Sequence, residues 1–309
     1  MESQYTSHIL MIRPVNFAYN EAAAESNAFM HDTAKTDDPQ NTALQLFDAF
    51  VEKLREADIK VHVFDDRKEP YTPDSIFPNN WVSFHADGRV FLYPMEVENR
   101  RLEKRMDILD SLKKEFELKE IVDLSHWEKK GLFLEGTGSL VLDRANKAAY
   151  VCRSSRSSEL VLSDWHSHFG AYEIVVFNAV DRNGQAIYHT NVLMAIGRTF
   201  ALVCLDAIPD KAEKEALVMS FIQNEKEVIA IDFSQMENFA GNMLQVCNTQ
   251  GDEILVMSTR AFESLTKEQI ECLEKHSTIL HAELGPIETL GGGSARCMLA
   301  EIHLPEYAS

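Results

Sequence analysis

Apolar positions along the chain switch between a period of two and a period of three to four, and the switches recur in one order. In 81–95, WVSFHADGRVFLYPM, two β-rich runs flank Ala86-Asp87-Gly88, which predicts a hairpin. From 98 to 117, Leu102, Met106, Leu109, Leu112 and Phe116 fall three or four residues apart, which gives a predicted helix one apolar face. Glu120 to Leu124 then reads as a short strand. The same order of hairpin, helix and strand returns in 138–152, 155–169 and 172–177, in 187–205, 210–225 and 227–233, and in 242–257, 260–276 and 277–281.

When the hairpin starts are aligned at Asn80, Gly138, Asn191, Asn242 and Cys297, the steps are 58, 53, 51 and 55 residues. Self-similarity at a fixed period is the mark of a repeat architecture. The modules then span 80–124, 138–177, 187–233 and 242–281. A fifth begins in 297–309 and runs out of chain, and 8–64 supplies the missing strand, amphipathic helix (41–57) and strand (59–64). The expectation is an α/β protein in which five ββαβ modules surround a pseudo-fivefold axis. The two termini close the ring, and 1–309 forms a single domain. An open α/β sheet in two domains is the alternative. Residues 13–40, rich in Asn, Asp, Ala and Glu, lie outside the repeat and read as a lid-like loop.

Composition narrows the function classes. The 309 residues are 45% apolar and 26% charged, an ordinary globular balance, and the net charge of −19 disfavours nucleic acid and anionic membranes as partners. No run of 18 apolar residues occurs, and the opening MESQYTSHILMIRP has too short an apolar stretch for a secretory signal, so a cytoplasmic protein is expected. The five cysteines are scattered, with no C-x-x-C pair, which argues against disulfides and a structural zinc. His166 and His168 lack neighbouring Cys or carboxylate ligands and read as surface or packing residues. Neither a metal nor a cofactor is expected. The composition leaves a homo-oligomer open.

If the module starts converge, residues beside them are the first candidates for chemistry. Cys297 stands at one start, after Gly291-Gly292-Gly293-Ser294. His189 lies two residues before Asn191, and Glu135 three before Gly138. A thiol nucleophile needs a base or acid partner, and that partner is commonly oriented by a carboxylate. Each residue also has a structural reading, as a core thiol, a packed histidine or a salt-bridged acid. Asp74, just ahead of the first start, is a further candidate.

Together these residues resemble the guanidino-group-modifying enzymes, the pentein superfamily of arginine deiminases, dimethylarginine hydrolases and amidinotransferases. The segments MIRPVNFAYN (11–20), PDSIFPNNW (73–81), FLEGTGS (133–139), YHTN (188–191) and GGGSARCMLAEI (291–302) look most similar to the arginine-deiminase-related group that hydrolyses citrulline. The resemblance implies a five-bladed α/β propeller with Cys297 as nucleophile, His189 as general acid and base, and Glu135 gripping substrate nitrogens. It also implies Arg100 and Arg156 on the substrate carboxylate, Asp74 on its backbone end, Asn79, Asn80 and Asn191 near the head group, and Phe17 in the cover loop with Arg13 and Asn20. Where guanidinium-binding relatives carry Asp in F-x-x-D and H-x-D, this chain has Asn80 and Asn191. A buried guanidinium wants carboxylates, whereas a neutral ureido group needs donors as well as acceptors. The expected activity is therefore hydrolysis of citrulline to ornithine, ammonia and carbon dioxide. Arginine deimination, dimethylarginine hydrolysis, amidino transfer and a non-catalytic module of the same architecture are the alternatives.

Overall fold

The structure is a computed structural model that describes residues 2–32, 38–170 and 172–307. Its strands form five separate three-stranded sheets. The first sheet joins Val82–Phe84, Arg89–Leu92 and Glu120–Asp123, and the second joins Val141–Asp143, Ala148–Cys152 and Glu173–Phe177. Met194–Ile196, Phe200–Val203 and Glu227–Ala230 make the third, and Leu244–Cys247, Glu253–Ser258 and Thr278–Ala282 the fourth. The fifth uses both ends of the chain: Ala300–Glu301 pairs antiparallel with His8–Arg13, which pairs parallel with Lys60–Asp65.

Every sheet repeats one pattern, an antiparallel hairpin followed by a parallel third strand. Parallel neighbours need a crossover, usually helical. The crossovers are helical here: Glu159–Phe169 serves the second sheet, Lys211–Gln223 the third, and Pro39–Glu56, capped by Asp38, the fifth. The first strand of each sheet is buried over most or all of its length, whereas the third strand is largely half-exposed. Val82–Phe84 lies against Ala300–Glu301, Val141–Asp143 against Met194–Ile196, and Met194–Ile196 against Leu244–Cys247.

Several elements differ from expectation. The helix expected over 98–117 is two short helices, Glu98–Arg101 and Met106–Leu112, and Leu102 and Met106 are exposed. The break follows from charge: Arg100 and Glu103 turn inward as a buried ion pair, which a single amphipathic stripe does not provide for. The stretch 260–276 likewise divides into Thr259–Ser264 and Lys267–Leu273, because Thr266 and Gln269 form a capping box that starts a new helix. The aligned starts are not strand beginnings. Asn80, Gly138, Asn191 and Cys297 sit in short helical turns, Pro78–Asn80, Gly136–Ser139, Thr190–Leu193 and Ala295–Met298, that precede the first strand. No helix among the described residues is long and apolar enough to cross a membrane.

A buried ion pair ties the second sheet to the third. Lys226 Nζ lies 2.8 Å from Asp143 with both side chains fully buried, and it also donates to the carbonyls of Gly197 and Arg198. Removing one partner of such a pair strands the other charge. Lys226→Met is expected to cost about 3–5 kcal/mol of stability, read from urea unfolding midpoints at constant m-value.

Candidate functional site

The short helical turns converge. Gly136–Ser139 packs against both Pro78–Asn80 and Thr190–Leu193, and Ala295–Met298 packs against Pro78–Asn80. Two glycines permit this approach. A Cβ on Gly138 would lie 2.4 Å from Asn80 Nδ2 and 2.8 Å from His189 Nδ1. Gly292, with φ of +63°, ends the helix Gly285–Gly291 in the left-handed region, and a Cβ there would strike Met30 and Asn27. The glycine run before Cys297 is thus a helix stop and a point of close packing.

Between the turns lies a small, tight cavity. Cys297, His189, Asp74, Asn80, Arg100 and Arg156 line it, with Tyr188, Phe77, Ala23, Asn27 and Gly291 to Gly293. Glu135 and Asn191, both expected at the site, stand behind the wall and reach it through bonds. Glu135 Oε2 is 2.8 Å from His189 Nε2 and 3.4 Å from Arg156, and Oε1 accepts the Glu96 N–H at 2.9 Å. Asn191 Nδ2 is 3.5 Å from the Cys297 sulfur. Asn79 is buried off the cavity wall, where its carbonyl accepts the Thr137 hydroxyl. Phe17 also does not line the cavity; its apolar ring packs in the core beside Gly291.

The site contains one residue that sequence reasoning passes over. Asn242 Nδ2 lies 3.3 Å from the Cys297 sulfur and donates to the Asn191 carbonyl at 2.9 Å. A backbone carbonyl only accepts, so the amide nitrogen of Asn242 faces the sulfur. A signal for it exists in the chain, since Asn242 is the fourth aligned start.

The electrostatics follow from burial and pairing. Burial alone would raise the Glu135 carboxyl, but the Arg156 guanidinium and the His189 bond hold it well below its ordinary range. Burial lowers His189 despite Glu135, so the imidazole is neutral at pH 7. An ionised carboxylate can only accept, so the His189 proton sits on Nε2 and Nδ1 is bare. Burial raises Asp74 in spite of Arg100, and its Oδ1 has no partner among the described residues while Oδ2 accepts from Asn20 at 2.7 Å. Arg100 forks onto Glu103 at 2.8 and 3.0 Å and donates to Asn80 Oδ1 at 3.1 Å. Arg156 is held by Ser26 Oγ at 2.7 Å, the Ala23 carbonyl at 3.1 Å and Glu96 at 3.1 Å.

Ser26, Ala23, Asn20 and Asn27 all belong to the stretch expected as a lid-like loop. It carries the short helix Glu21–Ala24 and bears on the cavity; 33–37 lie outside the described residues. Arg13, by contrast, points away and forks onto Asp48. His166 bonds the Tyr172 carbonyl, and His168 lies near it on the same helix, remote from the cavity lining.

Because the Glu135 pKa lies below the value of about 4.3 for Glu in an unfolded chain, its ionised form stabilises the fold fully above that pH. The contribution is lost as pH falls through the folded-state value. Glu135→Gln is expected to flatten the acid limb of unfolding free energy against pH, below about pH 4.5. Urea titrations across a pH series measure this, and an acid limb as steep as wild type would show that other carboxylates carry it.

Comparison with known proteins bears on what this cavity is. No curated protein sequence matches the chain. Among solved structures, apo ArgZ, an arginine dihydrolase from the ornithine-ammonia cycle in Cyanobacteria, superposes with a TM-score of 0.75 at 19% identity over 96% of this chain. The chain spans 41% of that protein. The N-terminal domain of ArgZ bound to its product has a TM-score of 0.74 at 18% identity, covering 96% of this chain and 98% of that one. A dimethylarginine dimethylaminohydrolase adduct with S-methyl-L-thiocitrulline has a TM-score of 0.66 at 14% identity, covering 98% of this chain and all of that one. The chain therefore shares the fold of these proteins. The family model described as N,N dimethylarginine dimethylhydrolase, eukaryotic, matches residues 13–304, nearly the whole chain, and the chain belongs to that family of C–N hydrolases.

Proposed function

We propose that the protein hydrolyses a free ureido amino acid, citrulline, to ornithine, ammonia and carbon dioxide. The observation that carries this reading is the orientation of Asn80. Arg100 can only donate, so the atom it contacts 3.1 Å away must be the Asn80 carbonyl oxygen. The amide NH2 of Asn80 is therefore turned to Gly138, with no partner among the described residues, and Asn80 itself lines the cavity. A buried donor without a partner suits a ureido oxygen and opposes a guanidinium, which has only donors to offer. Asp74 Oδ1, a buried acceptor without a partner, suits an α-ammonium, and Arg100 and Arg156 suit an α-carboxylate.

In this mechanism the Cys297 thiol gives its proton to the bare His189 Nδ1 and the sulfur attacks the ureido carbon, while the amides of Asn191 and Asn242 steady the sulfur charge. His189 Nδ1 protonates the departing amine, so ornithine leaves and a thiocarbamate remains on the sulfur. The same nitrogen then takes a proton from water, whose oxygen attacks the thiocarbamate carbon; the C–S bond breaks and the proton returns to the Cys297 sulfur. The carbamate released falls apart to ammonia and carbon dioxide, and one water is consumed in all. Glu135 keeps the His189 proton on Nε2 throughout. The five sheets, joined through both termini, are proposed to close into one ring and one domain around this cavity, with 13–32 as its cover.

The family description favours a second reading, hydrolysis of a methylated arginine. Incubation with citrulline, arginine, agmatine and dimethylarginine, followed by assays for ornithine, citrulline and ammonia, separates the two. Ornithine from citrulline alone is expected, and turnover of dimethylarginine with citrulline accumulating would replace the proposal. Cys297→Ala is expected to abolish turnover with the thermal midpoint preserved; residual activity near wild type would remove the thiol from the reaction. Asn80→Asp is expected to lower kcat/KM for citrulline by about 10- to 100-fold, the scale of one lost buried hydrogen bond, and to improve binding of arginine.

A further inference from the structure

Three side chains unused by the active site meet where the third and fourth sheets adjoin. Glu227 opens the strand Glu227–Ala230, Cys272 lies in the helix Lys267–Leu273, and His276 follows four residues later in the turn that ends it. Cys272 Sγ is 3.2 Å from Glu227 Oε1, and His276 Nε2 is 2.9 Å from Glu227 Oε2. One ligand atom from each of the three lies within 4.8 Å of the others. The His276 ring is fixed from behind, with Nδ1 2.8 Å from Thr199 Oγ1 and its plane tilted against Phe200.

We propose that these residues form a zinc site, with a thiolate, an imidazole and a carboxylate as ligands and the fourth position open to solvent. Tetrahedral Zn2+ takes sulfur at about 2.3 Å and nitrogen or oxygen at about 2.0–2.2 Å. Its ligand atoms therefore stand roughly 3.3–3.7 Å apart. The two gaps to Glu227, each to a different oxygen of its carboxylate, are a few tenths of an ångström short of that, and the sulfur and imidazole nitrogen lie within 4.8 Å, so an ion enters by a small adjustment of the three side chains. The donor set is chemically apt, since mixed sulfur, nitrogen and oxygen ligands favour zinc over magnesium or calcium.

The proton balance is also simple. Before metal enters, the thiol donates to one Glu227 oxygen and the imidazole Nε2–H to the other, while Nδ1 accepts from the Thr199 hydroxyl. When metal binds, the thiol proton goes to solvent and the imidazole proton moves to Nδ1, which then donates to Thr199. A hydroxyl can serve in either sense, so Thr199 holds the ring in both states. The ligands come from two adjoining modules, so the ion would cross-link the third and fourth sheets and stabilise the native state by mass action. Sequence spacing argues against zinc because no Cys pair exists; the third ligand lies 45 residues from Cys272.

Co2+ is the probe, because a thiolate bound to Co2+ gives a charge-transfer absorption that imidazole and carboxylate ligands do not. The full chain carrying Cys297→Ser, which removes the active-site thiol, is expected to bind one equivalent of Co2+ with that absorption and to surrender it to Zn2+. Adding Cys272→Ser is expected to abolish the absorption, and His276→Gln to weaken binding at least about tenfold. Thermal midpoints in chelator report whether these variants fold. Should Cys272→Ser fail to fold, Glu227→Gln serves in its place, and weaker binding with the absorption intact supports the site. No thiolate absorption in the Cys297→Ser protein, or an absorption unchanged by Cys272→Ser or binding unchanged by Glu227→Gln, overturns the proposal.

Discussion

Only two residues of the last strand, Ala300 and Glu301, pair with the N-terminal strand, opposite Leu10 and Ile9, and the position of Cys297 depends on that pairing. The contact is reinforced on both sides. The Ile302 N–H donates to the His8 carbonyl, and the Thr6 hydroxyl donates to the Ile302 carbonyl. Glu301 is buried, and Arg296 and Arg144 outweigh its burial and hold its carboxyl well below the ordinary range. So short a strand would fray without such partners. Its sheet exists because the two chain ends, nearly three hundred residues apart, supply one module between them.

The cavity shows how a fold keeps charges out of water. Asp74, Glu103 and Glu135 are interleaved with Arg100 and Arg156, and each guanidinium touches at least two carboxylates. Such clusters are costly to bury unless their donors are spent on acceptors. Here they are largely spent, and the few polar atoms left without partners, Asp74 Oδ1 and Asn80 Nδ2 among them, stand out for that reason. The same network joins the stretch around Ala23 and Ser26 to the site through Arg156.

Much of the architecture is legible along the chain because a ββαβ unit writes its order into periodicity. Strands alternate, crossover helices carry an apolar stripe, and the five sheets observed follow that order. The resemblance of short motifs points to Cys297, His189 and Glu135, and the structure places a 2.8 Å bond between two of them beside the cavity that holds the third. What periodicity misses is local and electrostatic. It reads 98–117 as one helix because it cannot see Arg100 and Glu103 turning inward. Motif likeness is equally silent on packing: it names Phe17, whose ring fills core space beside Gly291 of the cavity lining.

The sequence by itself determined the repeat, the order of strands and crossover helices within it and the residue types available for chemistry, because these depend on neighbours a few positions away. Tertiary structure alone decided which way the Asn80 amide faces, that Asn242 stands at the thiol, and that Glu227 meets Cys272 and His276. Each of those facts is a contact between residues twenty or more positions apart. No pattern in the chain encodes which lone pair or N–H meets another; that is settled only when packing brings the groups together and excludes water from between them.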